Sequence, residues 1–106
     1  AKAGFLGIPV PKEYGGQGCD PLTYVMCVEE LSNFGTTGVI VSAHTSLCID
    51  PIQTFGTEEQ KKKYIPDLAS GKKLGAFGLT EPGAGTDAQG QQTKAVLDGD
   101  EWVLNG

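Results

Sequence analysis

Arginine is absent from this sequence. All eight basic residues are lysine, set against thirteen acidic ones, for a net charge of −5. That balance excludes the basic face that nucleic-acid binding needs. It also leaves any bound phosphate to amides, hydroxyls, lysine or another chain. Histidine, tryptophan and methionine occur once each, as His44, Trp102 and Met26. No apolar run approaches the ~18 residues of a membrane-spanning helix, so no membrane span is expected. Cysteine is sparse: Cys19, Cys27 and Cys48 are odd in number and lack metal-ligand spacing. They read as reduced, partly buried thiols of a cytosol-like compartment, and no metal site is expected. Internal repeats and low-complexity tracts are missing, and no secretory segment is visible, though a cut N-terminus would hide one. The chain starts without methionine and ends on Asn105-Gly106, a hairpin signal that wants a returning strand. The expectation is a segment of a longer protein.

What is present divides at about residue 72. Phe5–Pro11 is apolar and punctuated by Pro9 and Pro11, which predicts an extended segment. Tyr14-Gly15-Gly16-Gln17-Gly18 reads as a loop. Asp20-Pro21 predicts a helix start, with Gly35 as its stop. Tyr24, Cys27, Val28 and Leu31 share one face of that helix. Leu22, Val25 and Met26 widen the stripe, which is expected to enter the core. Thr36 or Thr37 is expected to cap a second, largely buried helix through Ile40, Val41, Leu47 and Ile49, with a kink or restart at Asp50-Pro51. Phe55-Gly56 ends it. Thr57-Glu58-Glu59-Gln60 is a capping box. It predicts a helix with Tyr64, Ile65 and Leu68 inward, Lys61–Lys63 solvated, Pro66 shortening or kinking it, and Gly71 closing it. His44 has no visible catalytic partner. It reads as a polar residue hydrogen-bonded within or beside a buried helix.

After Lys73 the pattern changes to strands. Leu74–Thr80 is predicted as the first, Gln92–Leu97 as the second and Glu101–Leu104 as the third, with a tight turn at Asp98-Gly99-Asp100. The class is therefore α+β: a helical N-terminal part joined to the beginning of an antiparallel β part. The most distinctive stretch runs from Gly75 to Ala88. Phe77 and Leu79 alternate with Gly78 and Thr80, and Glu81-Pro82-Gly83 then breaks the strand. Gly83-Ala84-Gly85-Thr86-Asp87 has little bulk, so its backbone N–H groups can approach a ligand and form an anion-binding nest. Asp87 is placed to cap a short helical turn. A plain surface loop remains the alternative. Neither a Walker loop nor a Rossmann fingerprint is present.

Leu79-Thr80-Glu81-Pro82-Gly83-Ala84-Gly85-Thr86-Asp87-Ala88 resembles the flavin-site signature of acyl-CoA dehydrogenases. The resemblance covers nearly the whole chain. Pro11–Gly18 is similar to the loop before that family's next helix, Phe55–Lys61 to a helix start, and Trp102–Gly106 to a β-hairpin arm. Ser42–Leu47 and Gly75–Thr80 bring the likeness nearest to the short-chain, butyryl-CoA type.

The resemblance implies part of an N-terminal helical domain over residues 1–72 and the start of a middle, antiparallel β-barrel-like domain over residues 73–106. It implies an FAD-dependent oxidoreductase acting by α,β-dehydrogenation of short-chain acyl-CoA. Phe77, Gly78, Leu79, Thr80, Gly85 and Thr86 would follow the FAD. Thr86, where the family usually carries serine, would also meet the acyl-CoA thioester, and Ile40, Val41 and His44 would shape the acyl pocket. No catalytic residue is expected here: the base belongs to a later helical domain, Glu81 is assigned to loop structure, and the segment alone is expected to be inactive. Electron-transferring flavoprotein as acceptor, a homotetramer, and the bacterial cytoplasm or mitochondrial matrix follow from the same likeness. The rival readings are an acyl-CoA oxidase or another flavin oxidase or monooxygenase on this scaffold, and a non-catalytic helical/β interaction module.

Overall fold

The structure, a computed structural model, describes residues 2–106. Four α-helices are joined by turns and followed by one hairpin: α1 (Pro21–Ser32), α2 (Thr37–Ser42), α3 (Asp50–Phe55), α4 (Glu58–Ala69), β1 (Lys94–Asp98) and β2 (Glu101–Asn105). A π-helical segment, Ala43–Ile49, links α2 to α3.

Helix starts form where local chemistry prescribes them. Asp20 accepts from the Thr23 amide at 3.0 Å and from its hydroxyl at 2.8 Å, which fixes the first turn of α1. Pro21 opens that turn, where a missing N–H costs nothing. The capping box of α4 is complete: Thr57 Oγ1 accepts from the Gln60 amide, and the Gln60 side chain accepts from the Thr57 amide at 2.8 Å. Pro66 sits inside α4 without ending it, and Gly71 follows the helix with φ +72°. The Phe5–Pro11 region is not fully extended. A 3₁₀ turn, Phe5–Gly7, precedes Pro9, because prolines 9 and 11 restrict only the residues next to them.

The core is small. Val10, Tyr14, Ile49, Ile65, Leu68 and Ala69 form it, with Cys48 and Ile52 packed against it. Thus α4, the Lys12–Tyr14 turn and the end of the π segment meet at one place. Tyr14 Oη also donates to Glu58 Oε2 at 3.1 Å, tying the loop to the first turn of α4. The expected α1 stripe does not reach this core. Tyr24, Cys27, Val28 and Leu31 are half-buried, while Leu22, Val25 and Met26 are exposed. The helix packs beside α2 across Gly38, where a Cβ would collide with the Ser32 side chain. Its outer stripe has no opposing layer. Likewise Ile40 and Leu47 are exposed, while Val41 and Ile49 are buried. Tyr64, expected inward, is 42% exposed and lines an open apolar groove with Pro51, Ile52, Phe55, Gly56 and Gln60.

The restart expected at Asp50-Pro51 takes the form of a change in helix type. The wider π turn precedes Pro51, and the run continues into α3 up to Gly56. The three cysteines are free and half-buried, as expected. Among the described residues no helix is long and apolar enough to cross a membrane, and no cluster of candidate metal ligands occurs.

The predicted first strand, Leu74–Thr80, is not a strand: no residue in it enters a ladder. Its sequence suits a sheet, but no second chain segment lies alongside to accept its bonds. The other two strands form and pair antiparallel, from Lys94↔Asn105 to Asp98↔Glu101. Gly99 takes φ +60° in the two-residue turn, as a tight hairpin demands.

Candidate functional site

The Gly75–Ala88 stretch leaves the helical body as an open edge. Among the described residues, no backbone N–H from Ala76 to Thr80 has a hydrogen-bond partner. The hydroxyls of Thr80 and Thr86 make no bond either. Phe77 and Leu79 are 49% and 44% exposed. A run of unpaired main-chain groups with apolar side chains beside it can pair with a planar partner that has both donors and acceptors.

Beyond this edge, Glu81 and Ala84 exchange two backbone bonds of 3.1 Å, closing a turn with Pro82 and Gly83 at its centre. Gly83 and Gly85 do not take positive φ. The left-handed step that a nest would use is therefore absent. A Cβ at Gly78, Gly83 or Gly85 would meet nothing within 4 Å. These glycines serve neither backbone strain nor packing within this chain; they leave clear space over the loop. Asp87 precedes the short 3₁₀ turn Ala88–Gly90 as expected, but its side chain does not cap it. The backbone bond from the Gly90 amide to the Asp87 carbonyl, 3.1 Å, closes that turn instead.

Glu81 has a structural role, in line with its assignment to the loop. Its carboxylate accepts from the Gln92 amide at 2.7 Å and the Thr93 amide at 3.0 Å. These bonds, the Gln92 one foremost, hold the carboxyl below its ordinary value of 4.5. They bring the head of β1 back against the loop. The Gln91 side-chain amide donates to the Leu79 carbonyl in the same arrangement. Gly78, Leu79, Thr80, Glu81, Gln91 and Thr93 thereby line a polar groove of ≈ 410 Å³. Gln91 and Thr93 were not singled out from sequence; nothing local in Gln91-Gln92-Thr93 signals a return to residue 79.

His44 is 1% exposed. Its Nδ1 accepts from the Gly75 amide at 2.8 Å, so the proton must reside on Nε2, which donates to the Leu68 carbonyl at 3.1 Å. The ring is neutral and fully engaged. Val41 is buried on the same helical run, whereas Ile40 is 49% exposed. The structure thus brings Phe77, Gly78, Leu79 and Thr80 together along one open edge, with Gly85 and Thr86 on the loop that follows. Ile40, Val41 and His44 belong to the helical body.

The chain as a whole is similar to known proteins. Residues 1–72 match the family description "Acyl-CoA dehydrogenase, N-terminal domain". The chain is 64% identical over 104 residues to the short-chain specific acyl-CoA dehydrogenase of Clostridium acetobutylicum, covering 97% of this chain and 27% of that protein. Among solved structures, an acyl-CoA dehydrogenase of Bacillus anthracis complexed with FAD matches with TM-score 0.89 at 47% identity, over 98% of this chain and 18% of that one. Butyryl-CoA dehydrogenase of Megasphaera elsdenii matches with TM-score 0.85 at 48% identity, over 99% of this chain and 29% of that one. The chain spans little more than a quarter of the length of the curated relative.

Proposed function

Because this chain belongs to the acyl-CoA dehydrogenase family, we propose that the protein it represents is an FAD-dependent dehydrogenase of short-chain acyl-CoA thioesters. We divide the chain into part of an N-terminal helical domain, residues 1–72, and the start of a middle β-domain, residues 73–106. The observation that carries the reading is the open edge from Ala76 to Thr80. It offers unpaired amides, a free Thr80 hydroxyl and the exposed Phe77 and Leu79 side chains within one short run.

These residues fit FAD. The pyrimidine end of a flavin needs donors and acceptors in one plane, which Phe77, Gly78, Leu79 and Thr80 supply along the edge. These residues carry no arginine, so what they can offer the pyrophosphate is main chain without bulk, and the clear space over Gly83 and Gly85 provides it. Gly85 and Thr86 would hold that end. The Thr86 hydroxyl would also face the thioester, with Ile40, Val41 and His44 behind the acyl chain. When bound, FAD supplies the redox chemistry by accepting the hydride from the β-carbon. The chain's own residues hold the flavin plane and exclude bulk from its phosphate end. Amides fixed beside the thioester carbonyl would acidify the α-carbon without reorganising. Glu81 is not the base, because both its oxygens already accept amide hydrogens. We place the base in a part of the protein beyond these residues, so this segment alone is inactive. Electron-transferring flavoprotein as acceptor, a homotetrameric assembly, and a bacterial cytoplasmic or mitochondrial matrix setting complete the proposal.

Thr80→Val in the full-length protein tests it. The variant is expected to bind FAD more weakly or to show a shifted flavin absorption spectrum. Unchanged affinity and spectrum would remove Thr80 from the site, and a full-length protein indifferent to FAD would end the reading.

A further inference from the structure

Residues 74–106 are joined to the helical body by one hydrogen bond among the described residues, from the Gly75 amide to His44 Nδ1. The other hydrogen bonds of this part are internal to it, among them Glu81 to Ala84, Gln92 and Thr93, Gln91 to Leu79, Ala88 to Thr86, Gly90 to Asp87, and the β1–β2 ladder. The last bond before the junction, from the Lys73 amide to the Asp67 carbonyl, belongs to the end of α4. From Ala76 onward the edge has no ladder to define its course.

The ring that makes this bond is itself held from three directions. The π segment carries it, the Leu68 carbonyl accepts from its Nε2, and burial excludes water from competing. A side chain at Gly75 would strike Cys48, with Cβ 2.6 Å from the Cys48 Cβ and 3.3 Å from His44 Nδ1. The backbone at Gly75 is therefore drawn in against the π segment as closely as atoms permit. Only glycine fits between the imidazole and the Cys48 side chain.

We propose that His44 is a positioning residue for the flavin-facing edge. Its Nδ1 sets the point and direction at which residues 76–80 leave the body, and so their placement relative to the helical run that carries Ile40 and Val41. This deepens the flavin reading above and rests on it. The acceptor at Nδ1 preorders the edge before the cofactor arrives. Without that acceptor, ordering the edge falls on cofactor binding and weakens it. In this role His44 acts through the Gly75 amide and not by contact with the cofactor.

The two ring nitrogens can be separated by substitution in the full-length flavoprotein. In His44→Asn the carbonyl oxygen stands as many bonds from Cα as Nδ1 does, and it keeps an acceptor for Gly75. In His44→Gln the side-chain amide stands where Nε2 does, and it keeps only the Leu68 contact. FAD affinity is expected to stay within about threefold of wild type in His44→Asn and to fall about tenfold in His44→Gln, the scale set by one unsatisfied, half-buried amide. Thermal unfolding is read alongside. Equal FAD affinities in both variants, or losses that follow unfolding temperature rather than the retained acceptor, would overturn the proposal. If wild-type protein takes up no FAD, the flavin reading fails and the tie is judged by hydrogen exchange at the Gly75 amide. Protection kept in His44→Asn and lost in His44→Gln supports it, and identical exchange in both overturns it.

Discussion

The helical body and the arm that follows it are built from similar kinds of residue and end in opposite states. In the body, Ile49 and Ile65 are 1% and 0% exposed and a shared core forms. In the arm, Leu97, Trp102 and Leu104 are 56%, 66% and 70% exposed, and only Ala84 is buried. The difference is not apolar content; it is the presence of an opposing layer. Helices pack against their neighbours in sequence, whereas a two-stranded hairpin has two faces and nothing to lay them on. The arm's apolar side chains are written for a surface that these residues do not supply.

Substitutions sharpen that contrast. Ile65→Ala, at the centre of the core, is expected to cost about 2–5 kcal/mol in chemical denaturation. Leu97→Ala in the same chain is expected to stay within about 0.5 kcal/mol, as for other open surface positions. Equal costs would break the comparison by showing that the hairpin has a hidden partner. Next in size is Thr57→Ala, which removes the α4 cap and is expected to cost about 0.5–2 kcal/mol by the same measurement.

The arm's internal tie is electrostatic and responds to pH. Glu81 is held below its ordinary value of 4.5 by the amides it accepts. A depressed carboxyl contributes fully above its unfolded value and loses its contribution as pH falls through the folded one. The Gln92 and Thr93 amides should therefore keep their protection from neutrality down to about that value and lose it below, as an NMR titration would show. In the body, Asp67 is depressed by Lys72 and then Lys73, and Glu58 by Lys61 and then Tyr14, so their contributions fade in the same acid range. The smallest expected stability change is for Gly85→Ala, which meets open space without positive φ. The full-length variant should keep its unfolding temperature while losing FAD retention, measured by flavin released on dialysis. Early unfolding with FAD retained would assign Gly85 to the turn alone.

Local chemistry was legible in the sequence. Asp20-Pro21 and Thr57–Gln60 start helices at the expected residues, because the groups that satisfy one another are three apart. The tight turn at Gly99 was legible for the same reason. Distant pairings were not. Leu74–Thr80 has strand spacing but no neighbour, and spacing cannot reveal a missing neighbour. The α1 stripe has the right period and faces outward in part, since period does not say what packs against it. The π turn at Ala43–Ile49 has no mark in composition. For the candidate site, the loop and its glycines were visible as an unusual run. The return of Gln91 to Leu79, and the seat of Gly75 on His44, depend on closure over 12 and 31 residues and left no local trace.

Trp102 stands on β2 with two-thirds of its surface open and is the only indole among these residues. The chain therefore has its own optical gauge on the arm rather than in the body. Its emission should lie at long wavelength and be readily quenched by iodide while the strand faces water. A blue shift with loss of quenching would report, in real time, the moment a second layer settles over the hairpin.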